Sequence, residues 1–226
     1  MSLEQLAEVS RTYGADPEWV LAGGGNTSYK DRDTLFIKAS GFALATIGPE
    51  GFARMDRRAL AKMWDTEYPE ETEAREAAVL DDVMAARREG EEKRPSVETL
   101  MHELFPYAFV VHLHPALVNG ITCGQNGERA AHDLFGDSLL WIPAIEPGIV
   151  LARAMRDAAR RHEERTGTFP KLVMLQNHGL VVAADTVEEI RQIHRDVRNR
   201  IRRVLKREPD FADASEDDAA RDRWHT

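Results

Sequence analysis

Two apolar segments of this 226-residue chain end in histidine, and that coincidence constrains its fold more than any other feature. The first, F-V-V-H-L-H-P at 109–115, carries His112 and His114; the second, K-L-V-M-L-Q-N-H-G-L at 171–180, carries His178. Histidines at i and i+2 of a strand point to one face, so His112 and His114 can reach a single divalent metal, with His178 arriving from another strand. If the three share an ion, their two strands must lie close together. Eight histidines in 226 residues give about 0.3 H-x-H pairs by chance, so spacing alone decides little. The setting adds weight: β-branched and aromatic residues lead into the pair and Pro115 ends the ladder as the ligands emerge.

Three imidazoles fill three of zinc's four preferred positions and leave one for water, substrate or a movable carboxylate. Glu98 is the best-placed carboxylate. R-P-S-V-E-T-L-M-H-E-L-F-P at 94–106 reads as a short helix with Ser96 near its N-cap and Glu98 in the first turn, leading into the His112 strand. A carboxylate there can bind metal at rest and serve as general base once substrate displaces it. Glu103 and Glu146 are weaker rivals. Upstream, L-A-G-G-G-N-T-S-Y-K at 21–30 packs three glycines beside Asn26, Thr27 and Ser28. Backbone N–H groups in such a loop can approach an anion closely, although an ordinary tight turn before a strand explains the same residues. It matches neither the dinucleotide G-x-G-x-x-G pattern nor a P-loop.

Together G-G-G-N-T-S at 23–28, I-K-A-S-G at 37–41, P-S-V-E at 95–98, H-L-H-P at 112–115 and Q-N-H-G-L at 176–180 resemble, in this order, the class II aldolase/adducin family, which includes the fuculose- and rhamnulose-1-phosphate aldolases. The glycine loop also resembles the aldolase half of fused rhamnulose-phosphate aldolase/dehydrogenase proteins, with no dehydrogenase half in the sequence read. The resemblance covers roughly residues 1–207 and implies a three-layer α/β/α fold around a mostly antiparallel sheet. It implies zinc held by His112, His114 and His178, with Glu98 binding the metal and moving protons. Gly25, Asn26, Ser40, Gly41 and Ser96 match positions that hold a substrate phosphate. The implied reaction is retro-aldol cleavage of a small ketose 1-phosphate to dihydroxyacetone phosphate and an aldehyde, in a homo-oligomer, commonly a tetramer.

Two departures from the family pattern bear on substrate and chemistry. Val97 stands where these aldolases usually carry a second hydroxyl residue, and no tyrosine lies after Tyr107 to match the usual proton donor to the leaving alkoxide. His132 is a substitute to consider, as are decarboxylation of a sugar-acid phosphate and dehydration of a ketose phosphate at the same metal site. Adducin-like relatives, which lost their metal histidines, act as interaction modules; retention of all three histidines and Glu98 argues against that role here.

Composition agrees. A hydrophobic content of 42% over 226 residues can bury one substantial core, and one domain over 1–207 followed by an acidic tail at 208–226 is expected. Neither a signal peptide nor an apolar run of about 18 residues is visible, so a cytoplasmic protein without a membrane span is expected. The single cysteine, Cys123, excludes an internal disulfide and reads as a small packed apolar residue. Helices are expected near 2–13, 56–65, 70–90, 115–122, 128–135 and from Pro147, and strands near 27–30, 34–38, 108–114, 139–142, 171–176 and 180–183. Strands alternating with helices would by themselves suggest parallel pairing.

A last helix opens on a capping box, Thr186 with Glu189, and carries an apolar stripe at Ile190, Ile193, Val197, Ile201 and Val204. Its other face holds Arg191, Arg195, Arg198, Arg202, Arg203 and Arg207, but a net charge of −9 and the lack of a binding motif argue against nucleic acid and for a solvated face. The acidic run 213–218 could fold back onto it. His102 reads first as a helix-surface residue, with a supporting role beside Glu98 as the alternative; His132, His162, His194 and His225 read as solvated.

Overall fold

A computed structural model describes residues 3–20 and 24–207. The elements follow in the order α1 (Leu3–Gly14), β1 (Asn26–Lys30), β2 (Thr34–Lys38), β3 (Phe52–Asp56), α2 (Arg57–Lys62), α3 (Thr72–Ala85), α4 (Thr99–Leu104), β4 (Phe109–Leu113), α5 (Ala116–Thr122), α6 (Gly127–Phe135), β5 (Leu139–Ile142), α7 (Ile149–Thr166), β6 (Leu172–Leu175), β7 (Gly179–Ala184) and α8 (Val187–Arg202). The strands form one sheet in the order β3-β2-β1-β4-β7-β6-β5. All neighbours pair antiparallel except β5 and β6, so the parallel sheet suggested by alternation alone gives way to the mostly antiparallel one. Helices cover both faces, giving the three-layer α/β/α architecture.

The period-2 alternation of β4 separates the layers. Phe109, Val111 and Leu113 pack with residues of α1, α5, α6 and α8, whereas Val110 packs with Met101 and Phe105 of the α4 segment and Leu151 and Met155 of α7. His112 shares Val110's parity and belongs to the α4 face.

β1 has the same alternation with unusual chemistry. Thr27 lies on the α1 side, where its hydroxyl meets that of Ser10 at 2.6 Å. Asn26, Ser28 and Lys30 form a buried polar stripe on the opposite side, beneath α4. The Lys30 ammonium donates to the carbonyls of His102 and Phe105, each at 2.6 Å. It thereby occupies the electronegative C-terminal end of α4, where helix carbonyls lack intrahelical partners.

Several expectations are corrected. The sequence pattern does not signal β3, which follows a short helical turn at 49–51 and leads straight into α2; Asp56 caps that helix through the N–H groups of Arg58 and Ala59. α2 is shorter than 56–65, and α3 is capped by Glu71 and stops at Ala85 rather than at Gly90. The Thr186 hydroxyl caps α8 as expected, but Glu189 turns to Lys171 instead of closing the box. Val204 falls outside α8 and is exposed; His194 takes a place on the buried side, against Tyr13 and Trp19. His162 is also buried, and Cys123 is exposed rather than packed. The basic face of α8 is partly engaged with acids, including Arg191 with Glu8 and Arg202 with Glu18. His225 and the acidic run lie outside the described residues. Among these no helix is long and apolar enough to cross a membrane.

Burial pulls the Lys30 ammonium down to about 7, with Glu103 opposing and Arg57 reinforcing the shift. The unfolded chain keeps this proton to about pH 10, so between the two values it binds more protons than the folded protein and folding gains stability as pH rises. Urea-unfolding free energies should therefore climb from pH 7 to about 10 more steeply in the wild type than in Lys30→Met. Equal slopes would show that Lys30 titrates normally.

Candidate metal and active site

Register brings the site together. β1 pairs with β4 so that Asn26 lies opposite His112, and β7 pairs on β4's other side with Val181 opposite the same histidine. His114 follows one residue beyond β4. His178 sits in the tight β6–β7 connection, where Asn177 adopts φ 57° and the His178 N–H donates to the Leu175 carbonyl. The strands approach so closely that a Cβ on Gly179 would strike the Leu113 carbonyl oxygen, and one on Gly25 would lie 2.7 Å from that of His112.

One ring nitrogen from each of His112, His114 and His178 falls within 4.8 Å of the others, as expected for a shared ion. His112 Nδ1 donates to the Leu180 carbonyl at 3.0 Å, which leaves its Nε2 as the nitrogen that faces the cluster. The Nε2 atoms of His112 and His114 are 2.9 Å apart; two facing lone pairs repel, so a proton or a cation must lie between them. Burial first, then His112 and His178, brings His114 down to about 4, and burial holds His178 below its ordinary value. Neutral imidazole is the ligating form, so the donor set fits a divalent cation.

Glu98 completes the group. It is the residue immediately before α4 rather than part of the first turn, and its backbone N–H is capped by Ser96 Oγ. Its Oε1 lies 3.4 Å from both His112 Nε2 and His178 Nε2. Its Oε2 accepts from Asn26 Nδ2 at 2.6 Å. Burial pushes its carboxyl up, but His112, the Asn26 hydrogen bond and His178 outweigh this and hold it below the usual carboxylate range. The rivals belong elsewhere: Glu103 pairs with Arg57 and Glu146 with Arg75.

The residues matched to phosphate binding lie near one another but not as one free cradle. Ser40 is tied to the 94–96 segment by its N–H to the Arg94 carbonyl and its hydroxyl to that of Pro95, which brings Ser40 and Gly41 beside Ser96. Gly41 has φ +88° and open space where a Cβ would be. Asn26 donates to both Ser96 Oγ and Glu98, so its amide already serves the carboxylate. Val97 is 56% exposed. His102, expected on a surface, is fully buried and lies between Asn26 Oδ1 and Ser28 Oγ, a support signalled only by its place one turn after Glu98. His132 is exposed on α6 and lines a surface pocket with Trp141 and His162.

A family model described as the class II aldolase and adducin N-terminal domain matches residues 4–199. The chain belongs to that family. Its curated relative "Uncharacterized oxidoreductase YuxG" from Bacillus subtilis (strain 168) is 30% identical over 198 residues, which are 82% of this chain and 27% of that protein. The chain thus spans about a quarter of that relative's length. Among solved structures, the N-terminal class II aldolase domain of a conserved Thermoplasma acidophilum protein is 26% identical with TM-score 0.75, covering 90% of this chain and 93% of the other. The L-fuculose-1-phosphate aldolase of Thermus thermophilus shares the fold at 14% identity and TM-score 0.56, over 89% and 94% of the two chains.

Crowding at Gly179 yields a direct test. Gly179→Ala would press on Leu113 and the His114 ring, 2.7 Å from the new Cβ. Urea denaturation should show a loss of about 1–3 kcal/mol, the usual cost of overpacking.

Proposed function

We propose that this class II aldolase-family chain is a zinc-dependent carbon–carbon lyase that cleaves a small ketose 1-phosphate to dihydroxyacetone phosphate and an aldehyde. The observation that carries the reading is the convergence of three imidazoles on one largely buried carboxylate that is held below the usual carboxylate range. His112, His114 and His178 would hold the ion, with Glu98 as the exchangeable ligand. A divalent cation there supplies positive charge to substrate oxygens, worth several kcal/mol in order of magnitude, so no Schiff-base lysine is needed.

The protein's own groups account for the proton that follows bond cleavage. When the C3–C4 bond breaks, its electron pair stays on C3 of the dihydroxyacetone phosphate fragment while C4–O becomes a carbonyl and releases its proton. Glu98, ionised at rest, would take up that proton and deliver it to C3. Ser40, Gly41, Ser96, Gly25 and Asn26 would hold the phosphate, and the Asn26 amide also holds Glu98 in place. A homo-oligomer, tetrameric by family resemblance, is part of the reading.

One observation favours a second reading. Tyr13 packs on Trp19 and His194, Tyr29 on Phe36 and Phe109, Tyr68 bonds to Asp82 and Tyr107 to the Phe169 carbonyl. All four tyrosines are thus engaged by other groups. Decarboxylation of a sugar-acid phosphate or dehydration of a ketose phosphate would use the same carboxylate and ion without a tyrosine donor to an alkoxide.

Zinc-dependent exchange of the C3 protons of dihydroxyacetone phosphate with deuterated water, followed by NMR, tests the donor half-reaction. Glu98→Gln should slow exchange by about 10²–10⁴-fold, the range for a positioned acid–base group. His178→Ala should lose zinc while retaining its far-ultraviolet dichroism. Absence of exchange in folded, zinc-loaded wild type would exclude dihydroxyacetone phosphate as donor and leave the decarboxylase and dehydratase readings.

A further inference from the structure

Beside the histidine cluster runs a second chain of buried polar groups that links β1 to α4. Ser28 Oγ lies 2.8 Å from His102 Nδ1, His102 Nε2 contacts Asn26 Oδ1, and Asn26 Nδ2 donates to Glu98 Oε2 at 2.6 Å and to Ser96 Oγ at 3.2 Å. His102 and Ser28 are fully buried and Asn26 nearly so, so bulk water is not available to replace a missing partner.

Donor and acceptor chemistry fixes the direction of the whole chain. An ionised carboxylate only accepts, so Asn26 must present its NH2 to Glu98 and its carbonyl oxygen to His102. His102 must then carry its proton on Nε2, and its bare Nδ1 must accept from the Ser28 hydroxyl. Rotated by a half turn, the Asn26 amide would set its carbonyl oxygen against the Glu98 carboxylate with almost no change of shape. A hydrogen-bond donor at His102 Nε2 prevents that rotation.

We propose that His102 is a positioning residue that locks the Asn26 amide, and through it aims Glu98 Oε1 at the imidazoles of His112 and His178. The inference rests on the proposed role of Glu98 as metal-binding, proton-transferring carboxylate. His102 itself touches neither substrate nor ion. Supporting partners of this kind typically change metal affinity or activity by about 10–100-fold when removed.

The first test is the tautomer. A long-range proton–nitrogen NMR spectrum of the folded wild type should show His102 protonated on Nε2 and bare on Nδ1, assigned by its disappearance in His102→Gln; protonation on Nδ1 would overturn the proposal. The second is zinc affinity, measured by chelator competition. His102→Leu should bind zinc about 10–100-fold more weakly. His102→Gln, whose amide can replace the Nε2 donor, should stay within about threefold of wild type if the donor is what matters.

If His102 acts through Asn26, the double variant Asn26→Ala/His102→Leu should be no weaker than the weaker single variant. Multiplied losses, or equal losses in the Gln and Leu variants, would overturn the proposal. Should His102→Leu fail to fold, Ser28→Ala removes only the donor to Nδ1. It should weaken zinc binding and introduce the Nδ1-protonated tautomer; unchanged affinity and tautomer would overturn the proposal. A folded wild type that takes up no zinc would end the metal reading, while its tautomer would still decide this one.

Discussion

The position of α4 depends on the buried polar stripe of β1. A helix of six residues is marginal alone, because nucleation fixes several residues before hydrogen bonds accumulate. Here β1 holds it at both ends. Lys30 takes the carbonyls at its C-terminus, and Asn26 takes Ser96 and Glu98 at its N-terminus, with His102 on Ser28 between them. The same strand is bonded to β4 with Asn26 opposite His112, so carboxylate and imidazoles are referred to one rigid frame.

Close backbone approach sets the other dimension. Gly25 and Gly179 flank the end of β4, and each lies where a side chain would strike a carbonyl of that strand. Main chain therefore crowds the site from two sides. The Leu180 carbonyl adds orientation by taking the His112 Nδ1 proton, a service from β7 that no side-chain pattern announces.

What is legible in the sequence follows from range. His112, His114, His178 and Glu98 each stand in a short segment whose pattern names its own element, and the structure brings all four together. β3 escapes a sequence reading because F-A-R-M-D at 52–56 sits between a turn and a helix and offers little alternation. His102, His162 and His194 read as solvated or helix-surface residues because the segments that bury them lie elsewhere in the chain. Cys123 departs in the other direction: an apolar neighbourhood suggests packing, but the residue falls at the exposed end of α5. The double use of Asn26 is invisible for the same reason, since its partners Ser96 and Glu98 are 70 and 72 positions away.

Those separations also bear on how the molecule is made. A zinc finger draws its ligands from one short stretch, and ion binding drives the folding of that stretch. Here Asn26, Glu98, His112 and His178 meet only after β1, β4 and β7 have paired, and closing such long loops costs entropy before the contacts return any of it. These side chains are therefore gathered only once the strands have paired, so an ion held by them would report completed folding rather than seed it.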